Sequence, residues 1–184
     1  LELRKASRED RLAAFVAVAD AVAYAHRQLI VHGDIKPSNV LMDAAGEVHL
    51  LDFGIGRFLA DIDRDEAVAA RYPITRSFAA PERSGGGAPT VASDVFSLGM
   101  LLLTMLGHDV PGRETPCVPG TRLPAGVLEG DLAAIAACAL AEQPDRRYPD
   151  VAALVQDVRR HLANRPVSVR MAEGWRYIAG RFVS

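Results

Sequence analysis

His32-Gly33-Asp34-Ile35-Lys36-Pro37-Ser38-Asn39 and, after a short apolar stretch, Asp52-Phe53-Gly54 decide how the chain reads. Asp34, Lys36 and Asn39 fall close together on a segment that Gly33 and Pro37 mark as a loop. Val40, Leu41 and Met42 run up to the turn signal Asp43-Ala44-Ala45-Gly46, and Val48, Leu50 and Leu51 run away from it. That is the pattern of a hairpin, which folds back and sets Asp52 beside Asn39. Two carboxylates, an amide and an ammonium then converge. Such a set suits phosphoryl transfer: an acid to accept a hydroxyl proton, oxygen ligands for magnesium, and a cation against the moving charge.

The flanks read as helices. Ser7 and Asp10 form a capping-box-like start, and Leu12, Phe15, Val16, Ala19, Val22, Ala23 and His26 recur at helical spacing, predicting a helix over 8–28. His26 falls on its apolar face, where a hydrogen-bonded core histidine is the plain reading. Leu29-Ile30-Val31 leads into the loop. A helix opened by Asp94-Val95-Phe96-Ser97-Leu98-Gly99 and reaching Leu106 is apolar all round, which predicts burial. A helix over 131–141 follows, with Leu132, Ile135, Ala136, Ala139 and Leu140. Asp150 then caps a last helix with Val151, Leu154, Val155, Val158 and Leu162 on one face. Residues 55–79 and the proline-bearing 107–130 read as loops. The fold class is therefore mainly α, with one small β-hairpin.

The chain's 184 residues suffice for one domain with its own core. A net charge of −2 gives no basic excess, so nucleic acid is not expected as a partner. Cys117 and Cys138 make no disulfide framework and read as reduced. No apolar run approaches the roughly 18 residues of a membrane span. The expectation is a cytoplasmic domain, a piece of a longer protein whose remainder could carry a membrane anchor.

The loop motifs resemble those of eukaryotic-type protein kinases, His-Arg-Asp-Leu-Lys-x-x-Asn followed by Asp-Phe-Gly, and the serine/threonine kinases of bacteria in particular. The resemblance implies ATP and magnesium as cofactors and a protein substrate. It implies that Asp34 is the catalytic base, that Lys36 contacts the transferred phosphate, and that Asn39 and Asp52 hold magnesium. His32, Phe53 and Gly54 take structural roles. Thr75-Arg76-Ser77-Phe78-Ala79-Ala80-Pro81-Glu82 resembles the substrate-docking segment, with Thr75 placed to contact the base and the lysine. By the same resemblance Asp94 holds the catalytic-loop backbone, and Arg147 reaches back to Glu82. His161-Leu162-Ala163-Asn164-Arg165-Pro166-Val167 matches the domain's end in bacterial kinases. This implies a kinase lobe over 1–163 and a basic linker over 164–184.

The match covers only the larger, C-terminal lobe. Residues 1–31 hold Lys5 and Glu9 but no glycine and no strand long enough to carry them, so the small lobe is expected to be missing from this stretch of chain. The chain alone is expected to hold ATP poorly and to expose an apolar face. Gly33 stands where most kinases have Arg, the side chain that commonly grips a phosphorylated loop. Between Gly54 and Ile74 there is no Ser or Thr, and Tyr72 is the only hydroxyl. The two absences agree, and activity is expected to be independent of phosphorylating that stretch. Two other readings stand beside the kinase. One is a non-catalytic kinase-like scaffold. The other is a small-molecule phosphotransferase of the aminoglycoside type, which shares His32-Gly33-Asp34 and Asn39 but normally lacks Thr75, Ala80-Pro81-Glu82 and the Asp94–Gly99 pattern with Arg147.

Overall fold

The computed structural model describes residues 6–43, 47–51, 57–58, 77–83, 87–108 and 128–173. Asp52, Phe53, Gly54, Tyr72, Thr75 and Cys117 lie outside the described residues.

Helix α1 spans Arg8–Arg27. It starts at a reciprocal cap: the Asp10 amide donates to Ser7 Oγ at 3.1 Å, and the Ser7 amide donates to the Asp10 carboxylate at 3.3 Å. The cap satisfies donors that a helix start leaves unpaired. Leu12, Phe15, Val18, Ala19 and Val22 are buried along one face. The chain leaves α1 through Leu29 at φ 61° and enters strand β1, Ile30–Val31. Strands β2 (Val40–Met42) and β3 (Val48–Leu50) form the expected hairpin, with Val40 opposite Leu50 and Met42 opposite Val48. Strand β4, Arg57–Phe58, pairs antiparallel with β1, a second small sheet that the sequence pattern did not announce.

Helix α2 spans Val91–Met105, three residues earlier than Asp94 suggests, because Thr90 and Ser93 make their own capping box. Its interior is apolar on every side, and nearly every residue is buried. Gly99 allows this closeness: a Cβ there would lie 3.0 Å from side-chain atoms of Ala139 and Leu140. Helix α3 spans Gly130–Ala139 and helix α4 spans Val151–Leu162. Asp150 caps α4 by accepting the Ala153 amide at 2.7 Å. Leu162, expected on the apolar face, is 39% exposed, since the helix ends there and leaves it beyond the packed turns.

One main core joins α1, α2, α3 and α4, with Phe15, Leu98, Leu101, Ile135 and Leu154 fully buried. Truncating such a side chain, Phe15→Ala for example, typically costs about 3–5 kcal/mol. Packing continues past the residue 163 boundary read from the sequence. Val167 is fully buried in this core, and a 3₁₀ segment, Ser168–Glu173, lies against α3. Three apolar residues of the hairpin region face outward: Leu41, Met42 and Leu51. Among the described residues no helix is long and apolar enough to cross a membrane.

Candidate active site

The site is built on one buried carboxylate. Asp94 sits in the first turn of α2 and is fully buried. Its Oδ2 accepts the His32 amide at 2.9 Å, and its Oδ1 accepts the Gly33 amide at 2.9 Å. His26 Nε2 reaches the same Oδ2 at 2.8 Å, so α1 and α2 grip the loop together; His26 is hydrogen-bonded through this nitrogen, while its Nδ1 is buried without a partner among the described residues. A buried carboxylate needs such donors, since without them its charge would cost several kcal/mol.

His32 carries the constraint onward. Its ring is buried between two backbone groups: Nδ1 accepts the Asp34 amide at 3.3 Å, and Nε2 lies 3.1 Å from the Leu51 carbonyl. An acceptor at Nδ1 and a carbonyl at Nε2 fix the neutral tautomer with its proton on Nε2. The Leu51 amide in turn donates to the Asn39 carbonyl at 2.7 Å. The hairpin thus returns the backbone to Asn39 one residue before Asp52.

Asp34, Lys36 and Asn39 come together as the sequence suggests. Lys36 Nζ is 2.5 Å from Asp34 Oδ2. Asn39 Nδ2 donates to the Asp34 carbonyl at 2.9 Å and approaches Oδ2 at 3.4 Å. One carboxylate oxygen of Asp34 is therefore held, and Oδ1 has no partner among the described residues. Asn39 directs its N–H groups to Asp34, which leaves its amide oxygen, the donor type a hard cation takes. An oxygen-donor pair of Asn39 and Asp52 fits a magnesium ion chemically.

At the far end, Arg147 and Glu82 form a two-pronged pair, with Nη1–Oε1 and Nη2–Oε2 both 2.7 Å. The remaining Arg147 donors go to the carbonyls of Ala141 (2.8 Å), Ala92 (2.9 Å) and Glu142 (3.0 Å). All five guanidinium N–H groups are used. The guanidinium also lies 5.0 Å over the Phe96 ring. Burial works to raise the Glu82 carboxyl, but the Arg147 hydrogen bond and charge outweigh it and hold Glu82 below the usual carboxylate range. Ser97 Oγ adds a bond to the Phe78 carbonyl at 2.8 Å, tying the segment before Glu82 to α2.

Two residues escaped the sequence reading. Arg83, directly after Glu82, is buried and donates through Nη1 to the Gly33 carbonyl. Burial lowers its pKa, and the nearby Asp94, Asp34 and Glu82 oppose that shift. Asp157, fully buried in α4, accepts from the Ser168 amide and hydroxyl (both 2.7 Å), the Val169 amide (3.2 Å) and the Tyr148 hydroxyl (3.1 Å). A basic residue beside a gap in a motif was a possible signal for the first; nothing in the pattern marks the second.

A buried aspartate, Asp94, thus holds a His-x-Asp loop whose own aspartate, Asp34, carries a lysine and an asparagine. A family model of the protein kinase domain matches residues 3–117, and the chain belongs to that family. It is similar to the serine/threonine-protein kinase PknB of Mycobacterium tuberculosis, 32% identical over 170 residues, covering 83% of this chain and 27% of that protein. A probable serine/threonine-protein kinase of Streptomyces coelicolor is 32% identical over 184 residues, covering 93% and 27%. The serine/threonine-protein kinase PknD of Protochlamydia amoebophila is 29% identical over 180 residues, covering 82% and 18%. The chain thus spans 27% or less of the length of these curated relatives.

Proposed function

We propose that this chain is the catalytic lobe of a serine/threonine protein kinase that transfers the ATP γ-phosphoryl group to hydroxyls of a protein substrate. The observation that carries the reading is the fixing of Asp34. Its backbone is held by His32 and Asn39, and one carboxylate oxygen is engaged by Lys36 at 2.5 Å while the other has no partner among the described residues. In this reading Asp34 orients the acceptor hydroxyl and takes its proton. Lys36 offsets charge on the phosphoryl group once the nucleotide is bound, and Thr75 contacts both. Asn39 and Asp52 hold magnesium, which when bound neutralises phosphate charge. Positioning and charge stabilisation carry most of such a reaction. The names of the relatives favour this over the scaffold and the small-molecule phosphotransferase.

The test uses the complete protein with magnesium and ATP, offered peptides that differ only in Ser, Thr or Tyr at one position, and separately an aminoglycoside. Transfer to the Ser and Thr peptides, with little to Tyr or the aminoglycoside, is expected. Transfer to the aminoglycoside alone, or to nothing, would contradict the reading.

A further inference from the structure

A side chain at position 33 would be strained and crowded in this chain. Gly33 has φ +78°, the left-handed region, and a Cβ there would lie 2.9 Å from Pro89 Cβ and 3.2 Å from Pro89 Cγ. Both the backbone and the space disfavour substitution. The same construction puts Arg83 Nη1 3.5 Å away, so a guanidinium from another segment lies beside the empty position.

That guanidinium is held in place. Arg83 belongs to the 3₁₀ turn Pro81–Arg83, whose preceding residue, Glu82, is fixed by Arg147. Nη1 donates to the Gly33 carbonyl, and Nε approaches the Gly87 carbonyl at 3.4 Å. The Gly33 carbonyl and the Asp34 amide are the two ends of one peptide group. His32 takes the amide end and Arg83 takes the carbonyl end. Together with Asp94 on the amides of His32 and Gly33, each described hydrogen bond of this stretch limits rotation of the peptide planes that aim Asp34.

Resting on the kinase reading, we propose that Arg83 is a positioning residue that couples the substrate-docking segment to the catalytic loop. It supplies from the docking side the cation that position 33 lacks, and it does so permanently, without a phosphate. The lack of Ser and Thr between Gly54 and Ile74 accords with a coupling that needs no modification there.

The experiment compares wild type, Arg83→Gln and Arg83→Lys in the complete protein, with kcat and KM for ATP and peptide scaled to the folded fraction read from thermal unfolding. Arg83→Gln is expected to lose about tenfold or more in kcat with both KM values within about twofold, since misaiming the base acts on the transition state rather than on binding. Arg83→Lys keeps the charge and one donor and should fall between, about threefold below wild type. Phosphatase treatment should leave the wild-type kcat within about twofold. A folded Arg83→Gln with wild-type kcat, or a loss confined to KM, overturns the assignment. So does a wild type inactivated by phosphatase. Should Arg83→Gln fail to fold, an Arg83→Lys protein with wild-type kcat overturns it. These results leave the kinase reading standing, whereas a wild type that transfers no phosphoryl group removes both.

Discussion

Asp94 and Asp157 are the same device used at two places in the lobe. Each is a fully buried aspartate on a helix, and each accepts two backbone amides from a segment distant in sequence. Asp94 holds His32 and Gly33, next to the candidate base. Asp157 holds Ser168 and Val169, on the far side of α4, where Tyr148 and Arg160 add further bonds. The difference lies in what is being held. Under the proposed function, immobilising the His32–Asn39 loop serves chemistry, whereas immobilising the 3₁₀ segment Ser168–Glu173 serves stability. Buried carboxylates thus cannot be assigned a role from burial or bond count alone.

The comparison is broken most sharply by exchanging each aspartate for asparagine in the complete protein. Asp94→Asn keeps the shape but turns one acceptor into a donor facing a backbone amide. A loss of about 100-fold or more in kcat is expected, together with a lowered Tm, because displacing a catalytic group by an ångström is enough to cost that much. Asp157→Asn should lower stability by about 1–3 kcal/mol, the usual cost of leaving buried donors unmatched. Its kcat per folded molecule should stay within about twofold. Steady-state kinetics paired with thermal unfolding reads both, and a large kcat loss in Asp157→Asn would erase the distinction.

Much of this was legible beforehand. Helical spacing located α1 because Leu12, Phe15, Ala19 and Val22 fall on one face, and the hairpin followed from the turn signal in the sequence Asp43-Ala44-Ala45-Gly46. The roles of Asp94 and Arg147 in holding backbone and Glu82 came from motif resemblance, since no local pattern says which distant amide a carboxylate will meet. The start of α2 was read late because Thr90 and Ser93 cap it before the motif begins. Asp157 was hidden for a physical reason: on α4 it reads as one more polar residue, and the backbone amides it accepts, those of Ser168 and Val169, lie beyond the apparent end of the domain. Arg83 was missed because its only cue, the glycine at 33, describes an absence.

A smaller effect tests the ion pair between Glu82 and Arg147. Glu82→Gln leaves the fully buried Arg147 without its counter-charge, and a stability loss of about 3 kcal/mol is expected from urea unfolding, at the low end for such pairs because Glu82 is partly exposed. An unchanged midpoint would show that the three carbonyl bonds suffice for Arg147.

The smallest effect is the pH dependence. Burial pushes the Asp157 carboxyl up, but its bonds from Ser168, Val169 and Tyr148 outweigh this and hold it below the usual range, as Arg147 does for Glu82. A depressed carboxyl contributes stability above its unfolded value of about 4, and that contribution is lost as pH falls through the folded value. Burial and the Asp157 charge raise the Tyr148 hydroxyl well above its ordinary value. Its contribution is therefore full below about pH 10 and disappears as pH climbs toward the folded value. The Tm should be flat near neutrality and fall in acid, with a shallower acid limb in Asp157→Asn. An acid limb identical to wild type would mean that the carboxylate is not linked to folding.

The most direct measurement is the rate of phosphoryl transfer by Asp34→Asn in the complete protein, with saturating ATP, magnesium and a Ser or Thr peptide. If Asp34 is the base that Asp94, His32 and Asn39 are arranged to aim, kcat falls by about 10²–10⁴ while the protein still melts as a folded domain. A folded Asp34→Asn protein that transfers phosphate at the wild-type rate would contradict that assignment.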